Sequence, residues 1–511
     1  MMQKSRDVFL RSLYLLYVFF LPMGSVFHIP EGALGTLLKS MSMNIMLIGV
    51  LYIVIEHDFR FPSSLRPFTR LFLFMFGYSI IAAIVLSITL DVQYRSPLAC
   101  VMSTLVLYFE GLLSVYFNIF CLNKLVSFRD LYRVFDAQIV FSIIFGFIQL
   151  GALLGVGICA SIYGSMEHIF NIVSVKGLLM MERGVTLFGM EPSSLTVYCF
   201  IIIPYILVRL FYEKKHMLFY AVSLFLFSIL FVASHSTQTL LSFIAVLLSF
   251  AVISFRREII GTLKLGAFLV GLLMAVITTM SDNTTINNTA VNADVNSHTY
   301  VIAGKVVDRS NQSTQMRSST IINNMRIFYK YVIVGVGDGN QGFWYAENVP
   351  EWCKSSKEVN DIISFHIIPN GGGAFFPAYL AAYGLFGLFA LWLFVIKYRR
   401  SYRTSILNED KNVNTIYQIG LVLMLLCGWY TLTFRESPIG MFVLSLPLCY
   451  SLKFRKLIKT CIYRRKKGIG SLHMSQGMSI FKVQNKKTHY PNASAQKIKI
   501  YVRDKHISQG K

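Results

Sequence analysis

Long apolar runs dominate the chain, and short polar or charged segments separate them. Twelve runs are predicted to be membrane-spanning helices, near 9–27, 41–55, 71–90, 98–122, 135–158, 194–212, 217–233, 238–255, 264–280, 374–396, 415–434 and 438–452. A helix needs roughly 20 apolar residues to cross a hydrocarbon core of about 30 Å, and several runs approach that length. The pattern predicts an all-α integral membrane protein with about 12 transmembrane helices.

The polar segments divide the chain into four regions. We expect helices 1–9 and an outer loop near 159–192 within residues 1–280, a large outer loop at 281–372, helices 10–12 at 373–453, and a basic tail at 454–511. Both outer segments are longer than simple connections need to be. Function is therefore expected on the outer face.

Composition agrees with a membrane protein. Hydrophobic residues make up 55% of the chain, charged residues only 14%, and the mean hydropathy is +0.57. A soluble protein of this size would carry roughly 25% charged residues. The eight cysteines form no CxxC pair, so neither a disulfide framework nor a metal site is predicted.

The formal net charge of +23 is unevenly distributed. The segment from Phe454 to Lys511 supplies +14 of it, with fifteen Lys and Arg against one acid. Such a tail beside a last helix fits anionic lipid or a role in orientation, and nucleic-acid binding is not expected. With the N-terminus inside, the cytoplasmic segments before the tail hold nineteen Lys and Arg, against five in the short outer loops. Both termini are therefore predicted to be cytoplasmic.

The most distinctive local pattern is ERGVTLFGMEPSSL at positions 182–195. Pro192 suits the first turn of a helix, because its missing N–H is not needed there. Glu191 is then expected at the positive end of a helix, at the membrane surface. One interpretation is a helix-start carboxylate and nothing more. The functional alternative is a poised carboxylate, with Arg183 nearby to hold an anionic group.

A second pattern combines basic residues with a glycine-rich turn. Arg317, Arg326 and Lys330 precede the sequence GVGDG in the large outer loop. The guanidinium fork donates two parallel hydrogen bonds and suits a diphosphate. The nine-residue spacing of Arg317 and Arg326 places them on opposite sides of a helix, so we do not expect them to grip one phosphate together. GVGDG lacks the Lys-Ser/Thr of a P-loop, so a nucleotide site is not expected.

Three further outer positions carry candidate chemistry. His366 lies in HIIPNGGGAFF, where a base or proton carrier could act, although a merely solvated histidine is an equally simple interpretation. His235 and Arg435 occupy similar outer turns. In the tenth apolar run, Gly384 and Gly387 are expected to allow close helix packing.

In their order along the chain, these segments resemble motifs of the bacterial O-antigen polymerases of the Wzy type, which are related to the O-antigen ligases. A motif with Arg and Gly before Glu-Pro-Ser at a helix start is matched by Arg183, Gly189, Glu191, Pro192 and Ser193. A loop Arg followed by a helix and a Gly-x-Gly turn is matched by Arg317, Gly335 and Gly337. A later Gly-x-x-Gly helix is matched by Gly384 and Gly387. The specific resemblance covers roughly residues 180–390.

The resemblance implies an integral-membrane glycosyltransferase of the bacterial inner membrane. Its substrate would be undecaprenyl-diphosphate-linked oligosaccharide repeat units, polymerised on the periplasmic face into O-antigen or a related surface polysaccharide. Implied partners are that lipid-linked unit, membrane lipids and a chain-length regulator.

In this interpretation the outer residues take separate catalytic and binding roles. Arg183 and Arg317 would stabilise the departing diphosphate, and Glu191 would act as the base or orient the acceptor. His366 is a further catalytic candidate, and the substrate-binding candidates are Arg326, Lys330, Arg435 and His235. The outer loops show no acidic pair with metal-binding spacing, so we expect a metal-independent mechanism without a cofactor.

Three alternatives stay open. An O-antigen ligase would carry a His-Asn or His-Ser pair eleven residues before Gly384, where this chain has Gly373 and has His366 seven residues earlier; this favours a polymerase. A flippase or other transporter for the lipid-linked unit fits the helix count, but should place charges within its spans. A eukaryotic luminal glycosyltransferase would account for the sequons at Asn283, Asn287 and Asn311.

Overall fold

The computed structural model describes most of the apolar runs and part of each outer segment. Its residues are 2–23, 40–56, 62–90, 95–169, 172–180, 184–189, 191–255, 311–365, 374–402, 405–429 and 438–450. Helices hold 84% of these residues, and no β-strand occurs among them. The ninth predicted span, near 264–280, and the basic tail lie outside the described residues.

Eighteen α-helices are described. In chain order they are α1 Met2–Phe20, α2 Met41–Glu56, α3 Arg66–Thr89, α4 Pro97–Lys124, α5 Phe128–Leu153, α6 Gly157–Ile169, α7 Val175–Met180, α8 Thr196–Phe200, α9 Ile202–Val208, α10 Met217–Ala233, α11 Thr237–Phe255, α12 Gln312–Lys330, α13 Tyr345–Asn348, α14 Glu351–Lys354, α15 Lys357–Ser364, α16 Phe375–Tyr402, α17 Lys411–Cys427 and α18 Pro438–Ser445.

Within the described ranges, five helices are long and apolar enough to cross a membrane. They are α3 with its lead-in turn, α4, α5, α11 and α16. The pair Pro192–Phe200 and Ile202–Glu213 would be a sixth span, bent by 43°. The apolar helices α2, α10 and the stretch Pro438–Leu448 are shorter. The described part of the chain is therefore mostly helical, with five or six helices that could span a membrane.

Side-chain caps set where several of these helices begin. The hydroxyl of Ser96 accepts a hydrogen bond from the Ala99 amide at 3.2 Å before α4. Ser127 and Asp130 form a reciprocal capping box at the start of α5. Asp410 accepts from two amides in the first turn of α17. Each cap satisfies amide groups that have no partner within the helix.

Two of the predicted continuous runs are interrupted. The run 135–158 contains the end of α5 and the start of α6, and Gly155 between them has a φ of +80°. The run 194–212 bends between Phe200 and Ile202. Pro204 contributes to this bend, because it has no N–H to donate to the Phe200 carbonyl. Apolar character continues through both breaks, so it gave no signal for them.

A third break lies inside α16, at Gly384, where φ is +55° and ψ is −147°. Residues 332–337 form hydrogen bonds with the backbone groups that this break leaves open. After the break, the Leu385 and Phe386 amides donate to the Val332 and Ile333 carbonyls at 2.8 and 3.3 Å. Before it, the Ala381 and Ala382 carbonyls accept from the Val336 and Gly337 amides at 3.0 and 2.8 Å. A Cβ on Gly384 would lie 2.5 Å from the Val332 carbonyl oxygen. Gly384 thus permits close approach of a loop, whereas helix packing had been expected.

Candidate functional site

The segment that precedes Glu191 is buried among the helices. Residues 184–189 are all buried, and the ring of Phe188 stacks on that of Phe145 with centroids 4.0 Å apart. The carbonyl oxygen of the Gln149 side chain, on α5, accepts from the Thr186 amide at 3.1 Å and the Leu187 amide at 2.9 Å. The Gln149 amide group donates to the Thr186 hydroxyl at 3.0 Å. One glutamine side chain therefore fixes this loop.

The same loop is fixed at its start by the end of α10. The Val185 amide donates to the Ala233 carbonyl at 3.0 Å. A Cβ on Gly184 would collide with that carbonyl and would also meet the His235 ring at 2.9 Å. His235 is exposed and has a φ of +51°. The structure thus places His235 beside the residue that follows Arg183.

Glu191 is the N-cap residue of the 3-10 helix Pro192–Leu195, which leads into α8. Pro192 occupies the first position of this helix, as predicted. The Glu191 carboxylate makes no capping bond to a backbone amide. It is exposed and accepts a hydrogen bond from the Ser193 hydroxyl at 3.1 Å. The Pro192 carbonyl accepts from Thr239 at the start of α11, at 3.1 Å. The carboxylate therefore remains accessible while its backbone is held.

Helix α12 carries Arg317, whose guanidinium interacts with the charge of Glu191. Burial lowers the pKa of the Arg317 guanidinium, and the negative charge of Glu191 opposes that shift. Within the described ranges, Arg317 forms no ion pair at 4.0 Å or less. The Glu191 charge thus acts on the Arg317 guanidinium, and the two groups form no salt bridge.

The other two basic residues of α12 have different neighbours. The Arg326 guanidinium donates to the Asn348 carbonyl at 2.7 Å and so holds the end of α13. Lys330 is exposed at the last position of α12, with its ammonium 5.5 Å from the centroid of the Tyr331 ring. That Arg317 and Arg326 do not grip one phosphate together stays a prediction. Substrate binding by Arg326 and Lys330 stays a prediction.

The GVGDG turn is inserted between α3, α4 and α16. Asp338 is 4% exposed, and its carboxylate accepts from the Tyr108 hydroxyl and from the Gln341 side-chain amide. Tyr108 also shares a 2.7 Å hydrogen bond with Tyr383. The Asp338 amide donates to the Ser79 hydroxyl at 3.1 Å. This buried network explains the turn as a docking element of the fold.

Three predicted site residues, Arg183, His366 and Arg435, lie outside the described residues. The structure adds a residue that the motifs missed, since Gln149 supports the loop before Glu191. A glutamine in the middle of a predicted span was the available signal, because polar groups in such runs are costly unless hydrogen-bonded.

No protein-family model matches this chain, and a search of curated proteins finds no match to it. Its function is therefore inferred from its own residues.

Proposed function

We propose that the chain is an integral-membrane glycosyltransferase that polymerises lipid-diphosphate-linked oligosaccharide units. The observation that carries the proposal is the electrostatic interaction of the Glu191 charge with the Arg317 guanidinium; the two residues are 126 positions apart in sequence (317 minus 191). An accessible carboxylate and a partly buried guanidinium beside the apolar helices suit a substrate that joins a lipid, a diphosphate and a sugar hydroxyl.

The proposed reaction uses the two charges at opposite ends of one transfer. The bond between the donor's anomeric carbon and its diphosphate oxygen breaks, and the acceptor hydroxyl oxygen forms the new bond to that carbon. Glu191 accepts the hydroxyl proton, and Arg317 stabilises the charge that develops on the leaving diphosphate. Burial strengthens the second interaction, because water screens a buried charge less.

The remaining parts of the proposal come from sequence. They are about 12 spans with both termini in the cytoplasm, the bacterial inner membrane, a periplasmic site, and undecaprenyl diphosphate as the carrier. Arg183 serves as a second cation for the diphosphate and His366 as a further proton carrier, with Arg326, Lys330, Arg435 and His235 on the sugar units. The apolar helices support a membrane location, and the electrostatic interaction of Glu191 with Arg317 supports a joint role for these two residues.

The test uses substitutions of the charged pair. We expect Glu191→Gln and Arg317→Ala to keep normal protein levels while long polymer gives way to a single capped repeat unit on a ladder gel. Arg317→Lys should also be impaired, because a lysine does not form the two-pronged contact with a diphosphate. Wild-type ladders from all three variants would contradict the proposal.

A matched control and a purified assay complete this test. Lys354→Ala removes a cation that forms an exposed pair with Glu351 at 2.5 Å in the same outer segment, and it should leave the ladder unchanged. Purified protein in liposomes with lipid-linked repeat units should produce polymer. Movement of that unit across the bilayer without polymer would identify a flippase instead.

A further inference from the structure

Three consecutive apolar side chains of the large outer segment are exposed. The exposed fractions of Val332, Ile333 and Val334 are 37%, 61% and 45%. They begin two residues after the end of α12, and residues from Val336 to Asn340 are buried. An exposed apolar triplet beside a buried polar turn is unusual for a segment that lies in water, so its surroundings need to be identified.

The backbone pairing with α16 gives the depth of this triplet. Leu385, whose amide bonds to Val332, lies 12 residues before Lys397 (397 minus 385), the first charged residue beyond the apolar part of α16. Twelve helical residues extend ~18 Å. If Lys397 marks the inner boundary of a hydrocarbon core of about 30 Å, Leu385 lies about 12 Å below the outer boundary. Val332 and Ile333 share that depth.

Irregular backbone at membrane depth requires satisfied polar groups. The Gly335 amide donates to Tyr331 O, and the next two amides donate to carbonyls of α16. The Asp338 amide donates to Ser79 Oγ. The Gly339 amide donates to the side chains of Asp338 and Gln341, and the Asn340 amide donates to the Gly337 carbonyl. All six amides of residues 335–340 are thus paired. The carbonyls of Val332, Ile333 and Val334 accept from the Leu385 amide, the Phe386 amide and the Tyr78 hydroxyl, and this pairing favours immersion of the turn.

The side chains around the triplet are suited to contact with lipid. The adjacent α16 side chains of Leu385, Phe386 and Phe389 are also exposed, so the apolar surface is continuous. Tyr329 and Lys330, which end α12 one residue before the triplet, are exposed as well. A tyrosine and a lysine suit a position below the headgroups, because the lysine can extend its ammonium from an apolar surface toward water.

We infer that residues 332–334 form a re-entrant tip that lies in the hydrocarbon of the bilayer and contacts lipid acyl chains. The tip anchors α12 to the membrane. Arg317 lies 13 residues before Lys330 (330 minus 317), the last residue of α12, which is ~20 Å along the helix axis. The anchor therefore restricts where the Arg317 guanidinium can lie relative to the hydrocarbon, independently of what that guanidinium binds.

Depth-dependent quenching tests the inference. An environment-sensitive fluorophore is attached to Ile333→Cys, with Ser313→Cys, exposed in the first turn of α12, as the matched control. Purified protein in phosphatidylethanolamine and phosphatidylglycerol liposomes is then exposed to acyl-brominated lipid or to aqueous iodide. The unsubstituted protein, treated with the same dye, supplies the blank for its native cysteines.

We expect the probe at position 333 to lose fluorescence with brominated lipid and to resist iodide, and the probe at 313 to show the reverse. Quenching at 333 by iodide alone would place the tip in water and overturn the inference. Resistance to both quenchers would mean that protein covers the tip, which also overturns it. Neither measurement depends on glycosyl transfer, so failure here is distinct from failure of the proposed activity.

Discussion

Replacing Gln149 with leucine should loosen the loop that carries Glu191. The substitution keeps the approximate volume of the side chain and removes all of its polar atoms. The amides of Thr186 and Leu187 then lose their acceptor inside the bundle. The hydroxyl of Tyr163 loses the donor that now reaches it at 2.9 Å.

The two amides dominate the expected cost. Each buried amide that loses its partner costs about 1–3 kcal/mol, so the pair costs about 2–6 kcal/mol. Part of this loss falls on the whole protein and part on local opening of residues 184–191, since a loop without its supports opens before the helices do. We therefore expect a lower unfolding temperature and a loss of polymer that exceeds any loss of protein.

Unfolding in detergent can be followed with a thiol-reactive dye, because Cys100, Cys121 and Cys199 are buried. Gln138→Leu is the matched control on the same helix. Gln138 is also buried, but it donates at 2.7 Å to the carbonyls of Val18 and Phe19. It should lower the unfolding temperature without a specific loss of polymer. An unchanged unfolding temperature and a normal ladder for Gln149→Leu would refute this account of the loop.

Three further predictions test other parts of the molecule. Gly335→Ala should lower the unfolding temperature, because φ is +66° there and a Cβ would lie 2.5 Å from the Ala382 backbone; Gly77→Ala, with nothing within 4 Å of its Cβ, is the control. Truncation after Lys467 should leave polymerisation intact, since the tail is predicted on the opposite side from the site; inactivity of a correctly inserted product would show that the tail is required. Reporter fusions should show cytoplasm after Lys215, Arg257 and Arg403 and periplasm near Thr285 and Lys357, and a cytoplasmic signal at Lys357 would reverse the orientation.

The positions of the long helices could be predicted because hydrophobicity is a local property. The predicted run 98–122 corresponds to the helix Pro97–Lys124, and 71–90 corresponds to Arg66–Thr89. The break at Gly384 could not be predicted in the same way. Its cause is a loop about 50 residues earlier that bonds to the open backbone, and no feature near Gly384 encodes that partner.

The candidate site shows the same division between local and distant information. Glu191 and Arg317 each stood out through neighbouring residues, namely a proline at a helix start and a basic helix before a glycine turn. Their electrostatic interaction depends on how α12 packs, and a local sequence pattern does not indicate this packing. Gln149 had no motif, because its partners are backbone amides, and backbone groups leave no trace in a sequence.

The way the two charges are held argues against a purely structural ion pair. An exposed salt bridge contributes only about 0–1 kcal/mol, which is too little to organise two separate segments. Here Gln149 and the α10 turn hold the Glu191 loop, and Arg317 belongs to a helix that is fixed elsewhere by Arg326. The guanidinium nonetheless remains partly desolvated without a carboxylate within 4.0 Å in the described ranges. A cation kept in that state by independent supports is suited to an anionic ligand, and the accessible carboxylate whose charge acts on it is suited to a hydroxyl proton.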